Sequence, residues 1–255
     1  HDIVEEIRLD GNYGLQNEAL ACFCDALENA QCISLVSVAD AGLDLSSATQ
    51  LVASVAGMPN LGSLILAKNQ FVPTAHWDDE IGNKWAEFCK YLRDSDALRS
   101  LDVSNCMLGM EQAKVLASVL LNGSIRRFNI SDNDIFSATV LDSSGNSMVT
   151  SDTSGWRALC EALHDRSCAV EDFSAARICL APLRLKSLFS PKAMGGGIDP
   201  HQPREFPQRI KRLDLSGNHF AAHIPFQVPK GVTALNPDKG GKTGTNGWTR
   251  LCGID

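Results

Sequence analysis

An α/β fold assembled from a recurring strand-and-helix unit is predicted by this sequence, on three observations. An eleven-residue frame with apolar residues at offsets 0, 3 and 5 recurs along the chain, with an Asn or a small or apolar residue at offset 8. After each clear copy, apolar residues return at helical spacing 0, 3, 4 and 7. Three stretches of extra chain all enter at the same place, between frame and helix. Self-similarity at a fixed period is the mark of a repeat architecture.

The elements follow in order. The first frame starts at Val4, with Asn12 at offset 8, and leads to "EALACFCDAL", which carries Leu20, Phe23 and Cys24. The second starts at Ile33, has Ala41 at offset 8, and leads to Ala48, Leu51, Val52 and Val55. The third, "LGSLILAKNQF", places Leu61, Leu64, Leu66, Asn69 and Phe71 in the frame and leads to "NKWAEFCKYL", with Trp85 and Cys89. In the fourth, "LRSLDVSNCML", offset 8 is Cys106, and Ala113, Leu116, Ala117 and Leu120 follow. The fifth, "IRRFNISDNDI", holds Ile125, Phe128, Ile130, Asn133 and Ile135 and leads to "SGWRALCEAL", with Trp156 and Cys160. The sixth starts at Val170 with Ile178 at offset 8. The seventh, "IKRLDLSGNHF", holds Ile210, Leu213, Leu215, Asn218 and Phe220, and "NGWTRLCGI", with Trp248 and Cys252, closes the chain.

Alternating apolar residues at offsets 3 and 5 give a short strand with one buried face. An inward-facing Asn at offset 8 can satisfy backbone groups that stacking would leave unpaired. No such unit buries its own apolar face, so neighbours must stack. The frame resembles the leucine-rich repeat family, L-x-x-L-x-L-x-x-N/C-x-L, over nearly the whole chain. Asn marks the odd frames and is absent from the even ones, an alternation similar to that of the ribonuclease-inhibitor-like subclass. Ala41 and Ile178 depart from the Asn or Cys of the family pattern. The resemblance implies a right-handed α/β solenoid, or horseshoe, of about seven repeats, with an inner parallel sheet, outer helices and three rim insertions. It also implies an interaction scaffold rather than one activity.

Residues 1–255 are expected to form one domain, a fragment of a longer protein or a processed product because the chain begins with His1. The insertions span about 72–84, 136–154 and 221–246 and belong on one rim. A loop at about 190–208 leaves from the opposite rim. The middle insertion, "ATVLDSSGNSMVT", reads as a β-hairpin turning at Ser143 to Asn146, and "HIPFQVPKGVTALN" as a second one turning at Pro229 to Gly231.

Composition restricts function. The chain has a net charge of −7 and 6% aromatic residues, which does not fit the basic footprint of a nucleic-acid binder. No apolar run is long enough for a membrane span. Nine cysteines include one C-x-C pair, Cys22 and Cys24, without a second pair to complete a zinc spacing. Cys24, Cys89, Cys160 and Cys252 fall at the small inner position of a helix and read as core packing in a reducing, intracellular and cytoplasmic location. His219 and His223 lie in a loop without a helix to fix a zinc geometry. The Gly195 to Gly197 run reads as a linker, and Asn122 and Asn129 as accidental sequons. No cofactor, metal or catalytic residue is expected.

The reading is a non-catalytic protein-interaction scaffold or structural subunit. Its alternatives are a Ran-type GTPase-activating protein and the ligand-sensing repeat domain of an innate-immune receptor. Rim contacts are expected from Trp77, Ile81, Val140, Leu141, Met148, Val149, Ile224, Phe226 and Val228, apolar residues that the repeats themselves do not need. The concave face offers Arg8, Asp102, Arg127, Asn129, Arg212 and Asp214. A neighbouring chain or subunit is expected to cover at least one end of the stack, because an uncapped end exposes apolar core.

Overall fold

Each of the seven frames contributes one three-residue strand at its offsets 2 to 4. A computed structural model describes residues 4–28, 30–71, 77–141, 147–189, 207–218 and 233–235. The frame strands are β1 (Glu6–Arg8), β2 (Leu35–Ser37), β3 (Ser63–Ile65), β4 (Ser100–Asp102) and β5 (Arg127–Asn129). After a hairpin of β6 (Ser137–Leu141) and β7 (Ser147–Ser151) come β8 (Asp172–Ser174), β9 (Arg212–Asp214) and β10 (Thr233–Leu235). They form an eight-stranded parallel sheet in the order β1-β2-β3-β4-β5-β8-β9-β10, with β6 and β7 as a separate two-stranded sheet. Register is strict: Val36 faces Leu64, Leu64 faces Leu101, and Phe128 faces Phe173.

The helices are α1 (Asn17–Glu28), α2 (Leu45–Ala56), α3 (Asp79–Asp94), α4 (Met110–Leu116), α5 (Ser154–His164) and α6 (Pro182–Phe189). A 3₁₀ turn, Ala117–Asn122, continues α4. The offset-3 side chains Val36, Leu64, Leu101, Phe128, Phe173 and Leu213 are buried, as are the helix residues Leu51, Phe88, Leu116 and Leu159. Offsets 2 and 4 are mostly half-buried or exposed. One face of the sheet therefore packs under the helices and the other is open.

The repeated Trp-x-x-Phe/Leu-Cys phrase now has a cause. Trp85 and Trp156 are fully buried, and each indole N–H reaches the next helix. Trp85 Nε1 donates to the Gln112 carbonyl at 3.0 Å and Trp156 Nε1 to the Arg184 carbonyl at 2.8 Å. Cys89 and Cys160, four residues on from the tryptophans, and Cys24, four residues on from Leu20, are buried, as expected of small core residues. Cys252, Trp248, the His219/His223 pair and the Gly195 to Gly197 run lie outside the described residues.

The Asn alternation is a matter of backbone satisfaction. Asn69 Oδ1 accepts from the N–H groups of Ala41 and Leu43 at 3.1 and 3.0 Å, and its Nδ2 donates to the Val38 and Leu66 carbonyls. Asn133 serves Cys106 and Leu108 in the same way, and Asn218 serves Ile178 and Leu180. Each odd repeat thus satisfies the turn of the even repeat before it. The even repeats hold a left-handed residue between those two N–H groups, at Gly42 (φ 70°), Met107 (φ 57°) and Cys179 (φ 59°), which turns both toward one oxygen. Ala41 and Ile178 are therefore regular members of the alternation: at their position the backbone, not the side chain, makes the bond. Junctions in the other sense use different chemistry. Asp10 Oδ1 accepts from Ser37 Oγ and the Ala39 N–H, and Ser131 Oγ accepts from the Ala176 N–H. At the third such junction, the Cys106 thiol donates to the Leu66 carbonyl at 3.2 Å.

Two expectations need correction. Residues 79–84, read as inserted loop, are the first turn and a half of α3, because Asp78 caps it by accepting the Ile81 N–H and Asp79 and Glu80 suit its first turn. Thr233–Leu235, read as part of a rim hairpin, pair with β9 in parallel register, which covers an otherwise open sheet edge. The middle insertion does form the expected antiparallel pair, Ser137 facing Ser151 through Leu141 facing Ser147. Its turn, 142–146, lies outside the described residues, as does the 190–206 part of the loop on the opposite side.

Replacing Asn69, which is fully buried, with Ala removes both acceptor and donor from groups that water cannot reach. A loss of about 2–4 kcal/mol is expected in urea unfolding. Asn12→Ala, at an exposed position, is expected to change stability by less than about 0.5 kcal/mol. Gly155→Ala is a second check. Its Cβ would meet the Met110 carbonyl at 2.5 Å and the Ala113 Cβ at 3.0 Å, so overlap between α4 and α5 should outweigh the roughly 1 kcal/mol gain in helix propensity.

The thiols give a pH dependence. Burial pushes the Cys106 thiol from 9.0 up to about 12, and burial also raises Cys89 and Cys160. These groups stay protonated when folded but ionise when unfolded. Their contribution is therefore fully present below about pH 9 and is lost as pH climbs toward the folded values. Unfolding free energy is expected to fall above pH 9, by about 1.4 kcal/mol per pH unit for each such thiol. In native alkylation, Cys22, Cys32 and Cys179, all exposed, should react before the buried set.

Candidate protein-interaction surface

The open face of the sheet is a set of rows, since strict register lines up equal offsets on neighbouring strands. On the offset-4 row, Asp102 accepts from Asn129 Nδ2 at 3.1 Å, and Ser174 Oγ donates to Asp214 at 3.3 Å. The same carboxylates also accept the N–H groups of Ser104 and Ser216, which ties the row to the start of each turn. Asn129 Oδ1 does this for Ser131. On the offset-2 row, Arg212 pairs with Asp172 at 2.7 Å. Arg8 pairs along its own strand with Glu6 at 3.2 Å. Arg127 is exposed, and its guanidinium makes no hydrogen bond or ion pair among the described residues. Of the six concave-face candidates, five are already engaged with neighbours.

A further row was not legible in sequence. Offset 7 is left-handed in all seven frames: Gly11, Asp40, Lys68, Asn105, Asp132, Arg177 and Gly217 have φ between 51° and 72°. Across this row Arg177 grips both Asp132 carboxylate oxygens, donating from Nε at 2.5 Å and from Nη2 at 2.6 Å. The Asp132 carboxylate holds the guanidinium above its usual pKa. Arg177 also lies over Gly217, where a Cβ would come within 2.4 Å of its Cγ, so a larger residue there would displace the arginine side chain. At the first of these junctions the hydrogen bond to Asp40 raises the Tyr13 hydroxyl pKa. Only the Asp/Asn/Gly bias at offset 7 hinted at the row.

The residues expected to make rim contacts are partly covered. Trp77 and Ile81 are half-buried and pack against the core, with the Trp77 indole seated over Gly82. Ile81 also lines a groove of about 380 Å³ with Asp44, Leu45, Gln70, Phe71 and Lys84. Lys84 bonds Glu80 at 2.8 Å, and that partner, with Asp44 and Asp78 nearby, raises its pKa. In the hairpin, Val140 faces Met148, Val149 faces Thr139, and Leu141 faces Ser147. Ile224, Phe226 and Val228 lie outside the described residues. Among the described residues no group of His, Cys, Asp or Glu is placed to hold a metal ion, and no helix is long and apolar enough to cross a membrane.

No family model matches the chain, and no curated protein matches it. Solved structures similar to it include the tropomodulin C-terminal domain from Caenorhabditis elegans, at 15% identity and a TM-score of 0.45, covering 62% of this chain and 81% of that one. The leiomodin-1 actin-binding site 2 structure is similar at 17% identity and a TM-score of 0.40, covering 48% of this chain and 68% of that one.

Proposed function

We propose that the chain is a right-handed leucine-rich-repeat solenoid of the ribonuclease-inhibitor-like kind, serving inside the cell as a non-catalytic protein-binding scaffold or structural subunit. The two-repeat alternation of Asn and left-handed turns supports the subclass. The free thiols of the described cysteines suit a reducing, cytoplasmic setting. The observation that carries the binding site is the hairpin. β6 and β7 pair with each other and, among the described residues, with no strand of the main sheet. The fourth repeat passes from frame to helix without any such segment, so the repeat does not require it. A rigid scaffold that presents a spare β-ribbon just before a helix is built to meet a protein surface. Trp77 and Ile81 at the neighbouring inserted corner extend the same rim. The open face, with Arg127 as its unengaged cation, is the secondary surface.

Replacing residues 136–154 with the short link of the fourth repeat tests this. Partners recovered with the full-length native protein are expected to be lost while the melting temperature and far-UV spectrum stay near those of the unaltered chain. Recovery of the same partners at the same yield would move the site to the open face, where Arg127→Glu then becomes the variant to measure. Stimulation of GTP hydrolysis by a small GTPase on adding the chain would replace the scaffold reading altogether.

A further inference from the structure

The open face of the sheet is not evenly charged. Where the chain enters each strand, offsets −1 to 2 of the fourth to seventh frames hold Arg99, Arg126, Arg127, Arg209, Lys211 and Arg212. The same window holds two carboxylates, Glu171 and Asp172, so it carries a surplus of four positive charges in a chain of net charge −7. All six cations are exposed. In the second and third frames these offsets carry no charged residue, and toward the strand exits Asp102, Asp132 and Asp214 make the surface acidic. The basic strip is therefore bounded on two sides. Asp96 lies one residue outside it.

The backbone sets these residues side by side. The Arg126 N–H donates to the Arg99 carbonyl at 2.8 Å, that of Glu171 to the Arg126 carbonyl at 2.8 Å, and that of Lys211 to the Glu171 carbonyl at 2.7 Å. One residue on, Arg127, Asp172 and Arg212 stand in register. Neighbouring strands are about 4.8 Å apart, so like charges on this strip repel at close quarters. Its own carboxylates are already engaged. Glu171 takes Lys211 at 2.7 Å and Arg126 at 3.7 Å, and Asp172 takes Arg212 at 2.7 Å. Lys211, then Arg126 and Arg209, hold the Glu171 carboxyl below its usual range. Arg99 donates only to the Asp96 and Leu98 carbonyls. Among the described residues Arg99, Arg127 and Arg209 have no carboxylate of their own.

We propose that this strip receives an acidic protein segment, rich in Asp and Glu, laid across the entries of β4, β5, β8 and β9. Guanidinium forks suit carboxylates, which they bind through two parallel bonds. Phosphates would meet the same groups, but the window holds no aromatic residue on which a nucleic-acid base could stack. The inference rests on the interaction-scaffold reading, names the partner chemistry of the open face, and does not use the hairpin.

Fluorescence anisotropy on the full chain tests it with three labelled probes: a glutamate peptide, a Gly/Ser peptide of equal length and a thymidine oligonucleotide. About ten residues are enough, since an extended peptide of that length outreaches four strands. The glutamate peptide is expected to bind despite the net charge of −7. Its affinity should fall about tenfold between about 0.05 and 0.5 M salt, as exposed charges are screened. The Gly/Ser peptide should not bind. Arg127→Glu, and separately Arg209→Glu, should weaken binding about tenfold with an unchanged melting temperature. Lys90→Glu, the same charge change at an exposed position on α3, should have no effect, nor should replacing residues 136–154. Failure of the hairpin reading and failure of this one are thereby distinguished. The proposal is overturned by a glutamate peptide that does not bind, by tighter binding of the oligonucleotide, or by affinity that both arginine variants leave unchanged. Equal loss in Lys90→Glu or in the hairpin replacement would overturn it too.

Discussion

From the second repeat to the sixth, the passage from strand to helix carries backbone N–H groups into an interior that water does not enter, and each group must find an acceptor or cost about 1–3 kcal/mol. Stacked repeats make this need recur at every turn. The chain meets it once per pair of repeats, with an asparagine whose oxygen receives two N–H groups from the neighbour and whose nitrogen returns two bonds to carbonyls. The left-handed residue in the even turn is the other half of the device, because it brings both N–H groups to a single point. Register, the close approach of neighbouring turns and the continuity of the apolar core all follow from that fit. At the intervening junctions a carboxylate, a hydroxyl or a thiol suffices, so those junctions can vary in sequence.

The apolar periods made the strands, most helices and the inward asparagines legible. The same periods could not say why asparagine alternates, since the groups it serves belong to the backbone of another repeat and leave no trace in side-chain identity. Ala41 and Ile178 looked irregular for that reason. The start of α3 was misplaced because a capping Asp78 and an acidic first turn outweighed the reading of an insertion. The strand at Thr233–Leu235 lacks the apolar residue at offset 5 and the asparagine at offset 8, so it carried no frame to find.

The surface was less legible than the core, and the reason is again pairing across distance. Asp102 and Asn129, or Asp132 and Arg177, are unremarkable polar residues until register sets them side by side. Their mutual bonds turn the open face into a ladder of satisfied groups with few loose ends. Trp77 shows the converse. In sequence it is an unexplained aromatic, but in the fold a glycine on α3 leaves room for its ring, and part of its surface is already spent.

The indole bonds from Trp85 and Trp156 reach across to the next helix at the same even repeats whose turns are held from the other side by asparagine. An even repeat is therefore clasped by both neighbours, by a tryptophan on the helical side and an amide at the turn. Pulled from its ends, a stack clasped in this way should not shed repeats singly. It should hold until a clasp fails and then release a pair, so that the chain lengthens in steps of two repeats.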